Sequence, residues 1–243
     1  MVRKPGSLCL GMMMVLVAAC PRVCAQQADA PSSSVGVDDS DGSADSIARP
    51  PATKKHQWPA PEGEISVMGM VPDGDYRLFG ATVRCHAWTI GAEYDRRIGH
   101  ILWARFDWVA EVIPFMILSQ PKVANFWGGG MTPEQELVPG ISISPIGMRF
   151  LYRDGKKIRP FFMGKLGAAA FTKKALSQNA TYANFNIQAA FGVQYALNER
   201  YDLRVEPFQF FHISNGYLAP SNPGMDQIGW RIGFTYHLKN GRW

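Results

Sequence analysis

The chain has 243 residues, 47% of them hydrophobic and 12% aromatic, and a formal charge of +5. That length holds one domain of ordinary size plus additional segments. Arg3, Lys4 and Arg22 carry one positive charge each, so the chain beyond them has only +2, too mild a balance for a nucleic-acid partner.

Residues 1–25 read as a secretory signal. Arg3 and Lys4 precede the apolar run "LCLGMMMVLVAA", and Val23 and Ala25 are small residues before a cut. The run is shorter than the roughly 20 residues a membrane-spanning helix needs. "VAAC" (Val17 to Cys20) also has the form of a lipoprotein signal that would leave Cys20 lipidated, although Pro21 and Arg22 follow it directly. Cleavage after Ala25 removes Cys9, Cys20 and Cys24. Cys85 then stands alone and no intramolecular disulfide can form. Residues 26–62 are rich in Ser, Asp, Ala and Pro and poor in aromatics. Such a segment buries too little apolar surface to fold and reads as a disordered tail.

From residue 63 to the C-terminus the dominant period is two. Leu102, Ala104, Phe106, Trp108, Ala110 and Val112 share one face, with Arg105, Asp107 and Glu111 on the other. Ala183, Phe185, Ile187, Ala189, Phe191, Val193, Tyr195 and Leu197 alternate with Asn184, Asn186, Gln188 and Gln194. Ile228, Trp230, Ile232, Phe234 and Tyr236 alternate with Gln227, Arg231 and Thr235. Strands have this period and helices do not. The pattern predicts strands near 63–71, 82–95, 100–117, 139–152, 158–171, 183–197, 201–214 and 226–238, with a bulge near Pro145. Several are longer than the five or six residues usual in soluble sheets. One apolar and one charged face on long strands point to an all-β fold, an eight-stranded antiparallel transmembrane barrel of the outer membrane.

A barrel of eight strands is filled by its own side chains, so Glu93, Arg105, Asp107, Glu111, Lys165 and Arg231 are expected in a buried polar network. Short connections near 95–99, 153–157 and 197–200 alternate with longer ones near 72–81, 118–138, 172–182 and 215–225. The longer loops of such barrels face outside. Trp88, Trp103, Trp108 and Trp230 are expected on the outer surface.

The outer end of the seventh strand carries "FFHISNGYLAPSNPGMDQ", starting at Phe210. His212 and Ser214 are two apart and point to one face. Asp226 opens the returning strand in phase with lipid-facing Ile228 and Trp230. Phe208 and Phe210 share the His212 face, but so do Arg204 and Glu206, and a bulge near Pro207 reconciles the two sets. Ser214 as nucleophile, His212 as base and Asp226 as orienting carboxylate would make a serine-hydrolase triad. Asn215, Gly216 and Asn222 are candidate oxyanion donors. Phe208, Phe210, Ile228 and Trp230 are candidates for an acyl-chain groove. The plainer reading of the same residues is a polar loop with an interfacial histidine.

"HISNG" followed by "NPGMDQ" resembles the PagL family of lipid A 3-O-deacylases. The resemblance covers the barrel in strand count and orientation, and its specific part is residues 212–226. It implies His212 as base, Ser214 as nucleophile, Asn215 and Asn222 around the oxyanion site, and an acidic residue at Asp226, where the best-known members carry Glu. It implies hydrolysis of the acyl ester at the 3 position of lipid A in the outer leaflet, with lipopolysaccharide and outer-membrane lipids as partners, no cofactor, and homodimerisation left open. The competing readings are a phospholipid esterase, a non-catalytic structural or adhesive barrel, and a narrow pore. No metal is expected: His86 and His100, with Cys85, Glu93 and Asp95, lack zinc-type spacing. The glycine-rich "FWGGGM" at 126–131 opens no helix and reads as loop, not as a phosphate cradle.

Overall fold

The computed structural model describes residues 61–122, 132–177, 180–216 and 224–238, together with Trp58, Leu218 and Asn222. The expected signal segment, nearly all of the expected tail and the loop at 126–131 lie outside the described residues. The strands are β1 (Gly63–Tyr76), β2 (His86–Ile101), β3 (Ala104–Pro121), β4 (Gln135–Tyr152), β5 (Ile158–Phe171), β6 (Ala183–Ala196), β7 (Tyr201–Ser214) and β8 (Met225–His237). Each pairs antiparallel with the next, and β8 pairs with β1, so the sheet closes into an eight-stranded barrel with no free edge. Closure satisfies every interior strand within the sheet, which a lipid environment demands.

All eight strands follow the alternation, but β2 and β3 lie about four residues further along than expected, β4 starts at Gln135 instead of near 139, and two further differences have a visible cause. β1 runs on to Tyr76 instead of ending near residue 71, because β8 continues to pair with it as far as Tyr76↔Asp226 across a shift between Pro72 and Gly74. β2 does not turn at residues 95–99. Arg96 pairs with Trp108, Arg97 with Asp107 and Gly99 with Phe106, so the polar run stays in the sheet. The chain reverses only at Leu102–Trp103, where Leu102 takes φ 55°. Trp103 at that turn is 74% exposed, and Trp88, Trp108 and Trp230 also stand on the outer surface. The bulge expected near Pro145 is present: the β4–β5 register shifts between Ile143 and Ile146.

The exterior is an apolar surface carrying Val67, Ile90, Phe115, Ile143, Leu166, Ile232 and Phe234. The interior divides along the barrel axis. Towards the end with short connections it is ionic. Arg149 donates to Glu64 at 2.8 Å, Asp95 at 2.9 Å and Asp107 at 2.7 Å, and Arg105 bridges Glu64 and Asp107. The next layer joins Lys165 to Glu93 and Glu111, Arg204 to Glu93 and Glu206, and Arg231 to Glu111. All six charges expected inside are there, joined by Glu64, Asp95, Arg149, Arg204 and Glu206, which the alternation had not placed. Towards the end with longer connections the interior is apolar, with Met70, Ile113, Met116, Leu118, Val138, Phe211 and Ile213 packed together. Nearer the chain start, Glu62 O accepts from Arg97 N at 2.8 Å and Trp58 N donates to Gly155 O at 3.2 Å.

Candidate active site

The phase of β7 decides which residues reach the exterior. Its register with β8 shifts between Glu206 and Gln209, and with β6 between Phe191 and Val193. Pro207 sits in this bulge and has no N–H to give the ladder. Before the bulge Asp202, Arg204 and Glu206 point inward; after it Gln209, Phe211 and Ile213 do. Phe208, Phe210, His212 and Ser214 are thereby turned to the outer face, at the end with longer connections.

His212 and Asp226 are direct cross-strand partners. Such residues have Cβ atoms roughly 5 Å apart, so a short carboxylate suffices to span the gap. Asp226 Oδ1 lies 2.5 Å from His212 Nδ1. The other oxygen, Oδ2, accepts three backbone amides from the β1–β2 connection: Leu78 N at 2.5 Å, Phe79 N at 2.6 Å and Gly80 N at 2.8 Å. Three successive N–H groups around one oxygen form an anion nest. The carboxylate is therefore fixed at both ends, and with the Nδ1 proton directed at it the imidazole keeps the Nε2 lone pair for a proton from a neighbouring hydroxyl.

Two glycines permit this closeness. A Cβ on Gly80 would lie 2.7 Å from the carbonyl carbon of Gly224, and Thr82 N bonds Gly224 O across the same contact. Gly224 itself has φ +71°, and a Cβ there would meet His212 Cε1 at 3.1 Å. The Phe79 ring stands edge-on to His212, with centroids 5.8 Å apart, and to Phe210 at 6.0 Å.

Ser214 ends β7 on the face of His212. Its Oγ accepts from Gly216 N at 3.1 Å, which puts this backbone donor beside the atom that would attack. Asn215 and Asn222 clamp the β7–β8 connection reciprocally: Asn215 N donates to Asn222 Oδ1 and Asn222 N to Asn215 Oδ1, both at 3.1 Å. Asn222 Nδ2 donates to Asn184 Oδ1 at 2.6 Å, tying the loop to β6, and Asn215 Nδ2 donates to Leu218 O at 3.2 Å. Of the acyl-groove candidates, Phe210 is paired with Ile228 across β7 and β8, Phe208 stacks near Phe191 at 6.2 Å, and Trp230 stands on the apolar exterior.

His212 and Asp226 are thus in contact, and Ser214 stands two residues further along the same face of β7. Sequence reasoning missed the nest of Leu78, Phe79 and Gly80, because backbone amides have no side-chain signature, and it missed Asn184. The interior carboxylates Glu93 and Asp95, considered above beside His86 and His100, are instead paired with arginine and lysine. No group of three or more metal-ligating side chains occurs among the described residues.

A family model described as lipid A 3-O-deacylase (PagL) matches residues 99–235. No curated protein matches. Among solved structures, the crystal structure of the outer membrane enzyme PagL is 14% identical, over 70% of this chain and 97% of that one, with a TM-score of 0.49. Neisserial surface protein A is 10% identical over 72% and 94%, with a TM-score of 0.36. The solution structure of E. coli outer membrane protein W is 10% identical over 74% and 98%, with a TM-score of 0.38. The family match spans more than half of the chain and contains His212, Ser214 and Asp226, and the chain belongs to the lipid A 3-O-deacylase (PagL) family.

Proposed function

We propose that this barrel hydrolyses the 3-O-linked acyl ester of lipid A as a serine esterase, with Ser214 as nucleophile, His212 as base and Asp226 as the orienting carboxylate. The observation that carries this reading is the His212–Asp226 contact at 2.5 Å, with the far oxygen of Asp226 held by three amides. A carboxylate bound on one side by a histidine and on the other by fixed donors acts as an orienter, not as a second base. His212 Nε2 takes the Ser214 proton as Oγ bonds to the acyl carbon. The carbonyl oxygen becomes an oxyanion, for which Gly216 N is the nearest-placed of the candidate donors, beside Oγ. The C–O bond to the sugar then breaks, and His212 returns the proton to the leaving sugar oxygen. Water attacks the acyl-serine by the same route and frees the fatty acid.

Asn215 and Asn222 fit best as residues that position the Gly216 amide, since their side-chain amides already donate, to Leu218 O in the loop and to Asn184 Oδ1 on β6. The lipid-facing position of the site suits a substrate that never leaves the outer leaflet. Half-buried Phe208 and Ile228 and exposed Trp230 supply apolar surface on β7 and β8, while Phe210 is buried beside Phe79. The test is mass spectrometry of lipid A from a Gram-negative host making the wild type or Ser214→Ala. Loss of one 3-hydroxyacyl mass with the wild type alone supports the proposal. Unchanged lipid A with a folded, inserted wild-type barrel refutes it.

A further inference from the structure

Rows of outward side chains run across the barrel at right angles to its strands, and two of them next to the site differ sharply in bulk. One row is aromatic: Phe208 on β7 is level with Phe191 on β6, Phe162 on β5, Phe150 on β4 and Phe106 on β3. Ring centroids are 6.2 Å apart for Phe208–Phe191, 4.8 Å for Phe191–Phe162 and 5.2 Å for Phe150–Phe106. The row towards the site holds His212, Ile187, Leu166 and Ile146. Between them lies a row that begins at Phe210 and then loses its side chains, with Ala189 on β6 and Gly164 on β5. The result is a furrow of about 230 Å³ on the lipid-facing surface, walled by Phe162, Phe150, Leu166 and Ile187, with Gly164 in its floor and Met148 beyond. A mid-strand glycine weakens a sheet and often marks the close approach of a ligand.

The furrow descends into the membrane. Phe210, level with it on β7 but outside its lining, stands four residues from the outer end of that strand. Its β5 member, Gly164, stands seven residues from the outer end, and Met148 on β4 thirteen. Starting at Ser214, a chain that slants towards Gly164 covers four residues along the strands and two strand spacings across them. That is roughly 17 Å at about 3.4 Å per residue and 4.8 Å per strand. An extended zigzag chain advances roughly 1.2 Å per bond, by the reach of an extended backbone over its three bonds per residue, so Gly164 lies about fourteen bonds from the ester.

From this geometry we infer that the acyl chain to be cleaved lies in this furrow and that Gly164 sets its preferred length, by leaving space for the chain's end. The inference rests on the deacylase reading above and adds to it which surface holds the chain and which residue selects it.

Gly164→Leu tests it. A Cβ at Gly164 would meet nothing closer than Gln188 O at 3.8 Å, so the added side chain starts without a clash and is directed at the furrow. The matched control is Gly69→Leu, which points into a different apolar groove, across β8, β1, β2 and β3, where a Cβ is equally unhindered. Purified wild type and both variants, each checked as folded by the electrophoretic shift of the unheated barrel, are assayed on glucosamine lipids 3-O-acylated with decanoyl, tetradecanoyl or hexadecanoyl chains. Gly164→Leu is expected to keep the wild-type rate on decanoyl ester and to lose at least about tenfold in kcat/KM on the longer two. Gly69→Leu is expected to keep the wild-type profile. An active wild type whose length profile is unchanged by Gly164→Leu, or is changed instead by Gly69→Leu, overturns the furrow and leaves the esterase standing. A folded wild type that cleaves none of the three esters, nor lipid A, removes both.

Discussion

Replacing Asp226 by Asn isolates the orienting role, because the amide must choose between two sets of partners. Facing its oxygen to the nest keeps three acceptor bonds, from Leu78, Phe79 and Gly80, and turns its NH2 towards His212. Facing its oxygen to His212 keeps one bond and sets an NH2 against three N–H groups that now lie 2.5–2.8 Å from an acceptor. Each buried donor left without a partner costs roughly 1–3 kcal/mol, so the first arrangement wins. In it the Asn NH2 donates to His212 Nδ1, the ring proton moves to Nε2, and the base has no lone pair to offer Ser214. The fold survives and the tautomer is wrong. The comparable change in a serine-protease triad lowers kcat by about 10⁴. Allowing for a lipid-exposed site, a loss of about 10³–10⁴ is expected here, or about 4–5.5 kcal/mol of transition-state stabilisation. The assay is acyl release from lipid A in detergent micelles, with kcat and KM separated, on barrel of verified fold. KM should stay near the wild-type value. A kcat within tenfold of wild type would refute the reasoning and remove Asp226 from the triad.

Three further outcomes are expected. Asp226→Glu pushes the carboxyl about 1.5 Å further along, and a misplacement of about 1 Å can cost on the order of 100-fold. Because cross-strand pairing already brings the shorter side chain within 2.5 Å, kcat should fall about 10- to 100-fold, and an unchanged rate would show that the nest does not fix the carboxylate. Gly224→Ala places a methyl 3.1 Å from His212 Cε1 at a residue with φ +71°, costing about 1–2 kcal/mol in backbone strain; acyl release should fall at least tenfold while the barrel stays folded by circular dichroism. Arg149→Met removes the cation common to Glu64, Asp95 and Asp107, leaving Arg105 to Glu64 and Asp107 and Arg204 to Asp95. Breaking a buried ionic set in this way costs about 3–5 kcal/mol, so urea unfolding in lipid vesicles should shift to lower denaturant, with kcat per folded barrel unchanged.

The alternation of Ala183 to Leu197 or Ile228 to Tyr236 announces strands because an apolar exterior and a filled interior leave no other use for period two. The same signal fails at Asp95–Gly99. Those polar residues look like a turn, yet their pairing with β3 is set by the length both strands must span, and Leu102 rather than a glycine makes the reversal. The phase of β7 was legible once Pro207 was allowed to break the ladder, since Arg204 and His212 cannot otherwise both have suitable surroundings. The His212–Asp226 contact was legible because both partners are side chains with recognisable chemistry. The three amides that hold Asp226 come from main chain far away in sequence, and only Gly80 among them leaves any trace in residue type.

The nest also bears on when the protein becomes reactive. Asp226 belongs to the last strand, and the amides around it follow the first, so the two halves meet across the seam where β8 joins β1. Paired β7 and β8 alone can bring His212 against Asp226, but the far oxygen of Asp226 meets its three amides only when β1 and the connection after it are in place. On the proposed mechanism, the base of an unclosed sheet lacks a carboxylate fixed at both ends. Closing the sheet and completing the nest are the same event.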